Sequence, residues 1–170
     1  MSDHLMLNRK LLNSIFAILA ATILMITGSC TDPCKDTTCL NGGTCIDGSC
    51  DCPTGYQGDS CKYETRSFFY GTYNVHATCS ATGINNYTCN ISEVSGDLFK
   101  VRIANFANSF SNYVTATING NLINIASQSP DNDGRIVSGS GSLSGNVIQM
   151  SYTVAGGSGT DVCDQSTWTK

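Results

Sequence analysis

Cysteine is the residue type in this sequence with the clearest capacity for chemistry. The chain of 170 residues contains ten cysteines. Six of them lie between Cys34 and Cys61, with four, five, four, one and eight residues between successive cysteines. Six cysteines so closely spaced admit fifteen pairings, so the spacing predicts a disulfide-bonded module without giving its connectivity. A stretch this short cannot bury enough apolar surface to fold alone, and its disulfides form in an oxidising compartment. The cysteines therefore indicate an exported protein.

Other side chains offer little for catalysis. Beyond residue 29 the sequence has one histidine, His76, and the pattern around it places it on the outer face of a strand. Asp164 and a serine would complete a Ser-His-Asp set on paper, but nothing in the sequence brings the three together. The GxSxG pattern of a nucleophilic serine is absent. We therefore expect no catalytic residues and no enzyme.

Metal-binding patterns are equally weak. A zinc site needs Cys and His at ligand spacings, and six cysteines are already committed to the module. The segment 130–134, PDNDG, resembles a fragment of a calcium loop but lacks its spacing and its distant bidentate Glu. We interpret this segment as a turn and expect neither a metal nor a cofactor.

The charge pattern argues against a nucleic-acid partner. Beyond residue 29, seven Lys and Arg residues stand against twelve Asp and Glu residues, and the cations are scattered singly along the chain. A protein that binds nucleic acid needs a basic patch, and none is visible.

Two short motifs identify the cysteine-rich module more closely. The third cysteine follows an NGG turn at residues 41–43, and the last two lie in a CPxGYxGxxC ending at residues 52–61. With the cysteine spacing, these motifs resemble an EGF-like domain over residues 34–62. The resemblance implies three disulfides: Cys34 with Cys45, Cys39 with Cys50, and Cys52 with Cys61. Asp47-Gly48, between the third and fourth cysteines of the module, is predicted to be the turn of a small hairpin, where Gly supplies a positive φ.

Residues 1–29 have the features of a signal peptide. Arg9 and Lys10 precede an apolar run that ends in small residues just before Cys30. The run of roughly eighteen residues is short for a membrane span, which needs about twenty, although a retained anchor stays an alternative.

The sequence TGSC at residues 27–30 resembles a bacterial lipobox, with Thr where Leu is usual. This resemblance implies that Cys30 becomes the lipid-modified first residue of the mature protein, with residues 30–33 as a tether. The alternative is that Cys30 is a further disulfide cysteine of the EGF-like region.

The remaining residues, 63–170, are predicted to form an all-β domain. Apolar and polar residues alternate with period two, as in a half-buried strand. Tyr73, Val75, Ala77 and Cys79 share one face, for example, and His76 lies on the other. Eight strands are predicted, near 67–79, 86–94, 98–104, 112–119, 121–127, 134–143, 146–155 and 161–168. They favour an antiparallel up-and-down barrel, with a two-sheet sandwich as the alternative.

This domain also resembles the lipocalin-like β domain that follows EGF-like modules in lipoproteins of Bacteroidetes. The segments that carry the resemblance are GTYNVHATC at 71–79, IANFAN at 103–108, VTATINGNLINIASQ at 114–128 and GSGSLSGNVIQMSYTV at 139–154. The resemblance implies a fold and a location in the cell envelope, and no reaction.

Three cysteines remain in the β domain, so at most one disulfide forms within it. In a closed meander the first and last strands are neighbours, which favours a Cys79–Cys163 bridge and leaves Cys89 as a free thiol in the core. If residues 83–86 formed the first turn, Cys79 and Cys89 would instead face each other across a hairpin. Both pairings remain open from the sequence.

The function expected from these features is that of a non-enzymatic, lipid-anchored protein of the cell envelope, at the outer membrane. Its EGF-like module would present the barrel to a protein or glycan partner, or serve a structural role. The alternative is a carrier of a small apolar ligand inside the barrel. Ten aromatic residues would line such a cavity or fill it, and filling is favoured: Phe68, Phe69, Tyr70, Tyr73, Phe99, Phe106, Phe110, Tyr113, Tyr152 and Trp168.

Overall fold

The computed structural model describes residues 32–170. The signal peptide predicted at residues 1–29 and the predicted lipidation site Cys30 lie outside the described residues.

The cysteine-rich module consists of short antiparallel strands and disulfides. Its strands are β1 (Thr44–Ile46), β2 (Ser49–Asp51), β3 (Tyr56–Gln57) and β4 (Tyr63–Glu64), paired β1 with β2 and β3 with β4. The β1–β2 turn is formed by Asp47 and Gly48, with φ values of 50° and 84°. Two positive φ values are the signature of a type I′ hairpin, so the turn predicted here is confirmed.

Two of the three disulfides that the resemblance implied are present in this module. Cys39 is bonded to Cys50, and Cys52 to Cys61. Cys34 and Cys45 are also disulfide-bonded. The module is therefore held by covalent bonds in place of an apolar core.

The β domain is a closed barrel of eight antiparallel strands. Each strand pairs with its neighbour in sequence, and the last strand pairs with the first. The up-and-down barrel prediction is thus confirmed, and the sandwich alternative is wrong. The strands are β5 (Gly71–Cys79), β6 (Gly83–Glu93), β7 (Lys100–Ala104), β8 (Val114–Asn119), β9 (Leu122–Gln128), β10 (Ile136–Ser144), β11 (Val147–Gly156) and β12 (Gly159–Thr169).

Several strands begin later than their alternation predicted, and two of them show why. Strand β5 begins at Gly71, because Thr65–Phe69 form a 3-10 helix. Strand β7 begins at Lys100, and Phe99 before it is 38% exposed although we placed it on the core face. Apolar residues at a strand end can pack outside the barrel, so alternation alone does not fix where a strand starts.

The tight turn between β8 and β9 differs in type from the one that its Asn-Gly sequence favours. Asn119 pairs with Leu122, so the central turn residues are Gly120 and Asn121, and of these Gly120 has a positive φ, 58°. A glycine at the first central position is typical of a type II′ turn, whereas an Asn-Gly dipeptide favours a type I′ turn with Asn and Gly as its central residues. Both types match the twist of the strands, which is why the hairpin forms at the predicted place.

The seam between β5 and β12 carries the disulfide that closes the barrel. Cys79 is bonded to Cys163, with 4.0 Å between their Cα atoms. Cys79 pairs across the first hairpin with Gly83, whereas Cys89 lies opposite Tyr73. The first turn therefore lies at 80–82, earlier than 83–86, and the rival Cys79–Cys89 bridge is wrong.

Aromatic side chains fill the barrel interior. Trp168, Tyr73, Phe106 and Phe69 are fully buried. The Phe106 ring lies 4.9 Å from Tyr152 and 5.8 Å from Trp168, measured between centroids. Phe68, Phe99 and Tyr113 are exposed instead and do not line the interior, whereas Tyr70 is partly buried and packs against the core. Cys89 is a buried free thiol, and burial raises its pKa to about 12.

One end of the barrel, here called the closed end, is covered by the 3-10 helix Thr65–Phe69, which packs against β6 and β8. The buried guanidinium of Arg66 donates hydrogen bonds to the carbonyl oxygens of Val94 and Asp97 in the β6–β7 connection and of Lys100 at the start of β7. At the same end the Thr65 amide donates to the Gly55 carbonyl at 2.8 Å. Arg66 thus holds the 3-10 helix on the closed end, and the bond from Thr65 ties Gly55, in the second half of the cysteine-rich module, to that helix.

The disulfide assignment predicts a large stability difference between two cysteine replacements. Removing the bridge with Cys79→Ala and Cys163→Ala should lower the free energy of unfolding by about 4–5 kcal/mol, because the bridge closes a loop of 84 residues. The control Cys89→Ala should cost about 1 kcal/mol, as a typical single substitution does. Denaturant unfolding followed by Trp168 fluorescence measures both. Equal losses in the two proteins would contradict the assignment.

Candidate functional site: a cup at the open end of the barrel

The opposite end of the barrel, here called the open end, contains a cup of about 550 Å³. It is bordered by the connections β5–β6, β7–β8, β9–β10 and β11–β12. The volume lies within the range of about 300–1,000 Å³ that is usual for small-molecule pockets. Polar groups that line it come from Thr82, Asn85, Ser109, Ser158 and Thr160.

The floor of the cup is built from Tyr152 and the Cys79–Cys163 bridge. The Tyr152 hydroxyl lies 3.4 Å from the Tyr87 hydroxyl and 4.0 Å from the Cys79 sulfur. Burial raises the pKa of both tyrosines above the ordinary value, so both hydroxyls stay neutral at pH 7. The floor is therefore partly aromatic and uncharged.

The β7–β8 connection enters the barrel under the cup in a strained conformation. Its buried residue Phe106 is flanked by Asn105, Ala107 and Asn108, all with φ between 52° and 55°. The left-handed region costs an L-residue roughly 1–2 kcal/mol, with Asn tolerating it better than Ala. The Asn105 amide donates to the Thr88 carbonyl at 2.7 Å, which helps to hold the segment. Ala107 thereby reaches the lining of the cup, and Phe106 fills the barrel beneath it.

Asp161 ties the β11–β12 side of the cup to the β5–β6 turn. Its carboxylate accepts hydrogen bonds from the Thr82 hydroxyl at 2.6 Å, the Ala81 amide at 2.7 Å and the Ser80 hydroxyl at 3.3 Å. Partial burial by itself would raise the pKa of Asp161, but these hydrogen bonds outweigh it and leave the pKa below its ordinary value. The carboxylate is ionised at neutral pH and fully engaged.

Asp161 lies beside two sulfurs, which raises the question of a metal centre. The Asp161 carboxylate and the sulfurs of Cys79 and Cys163 lie within 4.8 Å of one another. Both sulfurs are used in the disulfide, however, and a metal would need them as thiolates. This group therefore does not fit a metal ion.

Arg135 joins two other connections at the rim. Its guanidinium donates to Asp133 at 2.7 Å, to Asp131 at 3.1 Å and to the Ser109 carbonyl at 2.9 Å. The Asp131 carboxylate also accepts the backbone amides of Ser111 and Asn112. The segment 130–134 is thus the turn that we predicted. Its carboxylates are paired with an arginine, so the cup offers a ligand mainly neutral donors and acceptors.

The structure does not bring His76 and Asp164 together as a Ser-His-Asp triad would require. His76 is exposed on the outer face of β5, where its Nδ1 lies 2.8 Å from the Asn86 side-chain oxygen. No ion pair in the described part of the chain includes His76. Asp164 is exposed on β12 and is not among the residues that line the cup.

Comparison with known proteins identifies the first module. The family model described as the EGF-like domain matches residues 34–60. These residues are an EGF-like domain. A 41-residue stretch, 22% of the chain, is 46% identical to Neural-cadherin of Drosophila melanogaster, and the match covers 1% of that protein. The likeness is therefore confined to one small part of a very long protein.

The structural comparison found a redesigned beta barrel with 13% sequence identity. The match covers 62% of this chain and 94% of the designed protein, with a TM-score of 0.46. At that score the likeness says nothing about function. Within residues 32–170, no helix has the length and apolar character required to cross a bilayer.

The role of Asp161 predicts a pH-dependent loss of stability. Asp161→Asn should lower the free energy of unfolding by about 1–3 kcal/mol at pH 7, because three donors lose a charged acceptor. Since the folded-state pKa is lowered, the contribution is present above the unfolded-state pKa of about 3.9 and is lost as pH falls through the folded-state value. The difference from wild type should therefore shrink below about pH 4.

Denaturant unfolding at several pH values measures this difference. Asp164→Asn is the matched control, because Asp164 lies on the same strand and is exposed. A pH-independent loss in the Asp161 variant, or an equal loss in the control, would contradict the role assigned to the carboxylate.

Proposed function

We propose that this protein is a non-enzymatic, lipid-anchored protein of the cell envelope whose EGF-like module supports a barrel with a ligand-binding cup. The observation that carries the proposal is the cup of about 550 Å³ at the open end, away from the closed end against which Gly55 of the EGF-like module is bonded. A barrel that is supported at one end and has its cup at the other suits the capture of a ligand from the surroundings.

Export is supported by the disulfides. The EGF-like domain and the barrel both contain disulfides. Disulfides persist in oxidising compartments. The protein is therefore extracytoplasmic. Anchoring by lipid at Cys30 is the finer part of the proposal and is supported by the lipobox-like sequence at residues 27–30.

The lining of the cup favours a small, neutral, hydroxyl-rich ligand such as a short glycan. Ser109, Ser158 and Thr160 supply hydroxyl groups at its wall. Thr82 and Asn85 also line the wall, but the Asn85 amide donates to the Thr82 hydroxyl, which in turn donates to Asp161, so they offer a ligand only their remaining donor and acceptor positions. The charged groups nearby, Asp161 and Arg135, are already satisfied by the protein. A charged ligand would find no free counter-charge on them, whereas a neutral polyol could exchange hydrogen bonds with the wall.

The alternative of a carrier with an apolar ligand deep in the barrel is less well supported. The space that such a ligand would need is occupied by Trp168, Tyr73 and Phe106, which pack against one another or against Tyr152. An enzyme is also less well supported, because the carboxylates and the guanidinium around the cup serve as structural ties.

Filling the cup provides the test. Asn85 lines the cup from β6, and Asn86 next to it is exposed on the outer face. In saturation-transfer NMR with neutral disaccharides, wild type and Asn86→Trp should give the same ligand signals, and Asn85→Trp should lose most of them. Both variants replace one Asn by Trp. They differ only in the face of the strand that carries the new ring.

Two results would contradict the proposal. If no disaccharide gave a signal with wild type while an apolar probe such as a fatty acid did, the carrier alternative would be favoured. If Asn85→Trp kept the signals of wild type, the ligand would bind elsewhere than in the cup.

A further inference from the structure

Two aromatic side chains at the closed end are half exposed although they touch each other. Tyr63 is 51% exposed and Phe68 is 44% exposed. Their rings meet edge to face, with 6.1 Å between centroids. An aromatic pair that packs together but stays in contact with solvent leaves apolar surface uncovered, and its meaning depends on the groups that surround it.

Two lysines flank this pair. The Lys62 amine lies 5.6 Å from the centre of the Tyr63 ring, and the Lys170 amine donates to the Phe68 carbonyl at 2.6 Å. We call Lys62, Tyr63, Phe68 and Lys170 the aromatic-lysine patch. Aromatic rings with a polar edge and lysines with long apolar stems are the side chains that favour the boundary between lipid and water.

The patch lies close to the point at which the chain comes from the proposed anchor. The Asn41 side chain donates to the Cys61 carbonyl at 2.8 Å, and the Leu40 amide donates to the Ser60 carbonyl at 2.9 Å. Ten residues separate Cys30 from Leu40, and a fully extended chain spans at most roughly 35 Å over that length. A lipid on Cys30 would thus keep Leu40 within about 35 Å of the bilayer, and Leu40 is bonded to Ser60, two residues before the patch begins at Lys62.

The aromatic-lysine patch and the cup lie at opposite ends of the barrel. The patch belongs to the closed end, because Phe68 lies in the 3-10 helix and the Lys170 amide bonds to the Asn146 carbonyl in the β10–β11 turn. The cup lies at the other end of strands such as β11, which has ten residues. At about 3.3 Å per residue, such a strand separates the two ends by roughly 30 Å.

From these observations we infer that the aromatic-lysine patch rests on the surface of the lipid bilayer and turns the cup away from it. This inference rests on the proposed lipid anchor and adds an orientation to it. The anchor supplies membrane affinity, and the patch selects which end of the barrel meets the headgroups. A ligand in the surroundings then reaches the cup without obstruction by the membrane.

The test uses the full chain, produced in a bacterial host that acylates lipoproteins and reconstituted into vesicles of phosphatidylethanolamine and phosphatidylglycerol. Part of the lipid carries bromine near the headgroup end of the acyl chains, where it quenches tryptophan on contact. Phe68→Trp reports on the patch, and Tyr63→Trp is a second reporter should the first fail to fold. Ile84→Trp is the matched control, because Ile84 is 66% exposed beside the first turn at the open end.

The expected result is that brominated lipid quenches Phe68→Trp severalfold more than Ile84→Trp. The unsubstituted chain gives the background, since its single tryptophan, Trp168, is buried. If the protein floats with the vesicles but both reporters are quenched equally, or neither is quenched, the orientation is wrong while the anchor stands. If the protein fails to float and mass spectrometry finds an unmodified N terminus upstream of Cys30, the anchor and the orientation are both wrong.

Discussion

The pairing of the first and last barrel strands is the constraint on which the rest of the structure depends. Strand β12 pairs with β5 along Gln165–Thr169, and the Ser80 amide continues the contact by donating to the Val162 carbonyl at 2.9 Å. Closing the sheet removes both of its free edges, which would otherwise invite pairing with other chains. The Cys79–Cys163 bridge lies at the open end of this seam, so the covalent bond also forms the floor of the cup.

Closure explains how one barrel can be both filled and open. An eight-stranded barrel is just wide enough for side chains to fill it. Here Trp168 and Phe106 meet in the interior, and below them the 3-10 helix covers one end. At the other end the strands continue past the aromatic layer, and the loops tied by Asp161 and Arg135 form a wall around the remaining space. The cup is the space between these loops and the aromatic core.

The sequence predicted the strands and their order because alternation has period two and the turns contain glycine. It also favoured the Cys79–Cys163 bridge over a Cys79–Cys89 bridge, since the first and last strands of a closed meander are neighbours. It did not predict that Phe99 and Phe68 would be exposed, because alternation ignores packing outside the barrel. The cup residues were missed for a different reason. Thr82, Asn85 and Ser109 come together only through the curvature of the barrel, and no local pattern marks them. The one available signal was IANFAN, in which Asn residues suit the left-handed conformation that inserts Phe106.

Hydrogen exchange at the seam tests the closed barrel most directly. The amides of β12 that face β5, such as those between Gln165 and Thr169, should be protected as strongly as amides in the β5–β6 hairpin, because both sets lie in ladders of one continuous sheet. NMR-detected exchange on the uniformly labelled protein resolves them residue by residue. Rapid exchange along the β5-facing side of β12, with strong protection retained on its β11-facing side, would show an open sheet edge and contradict the account.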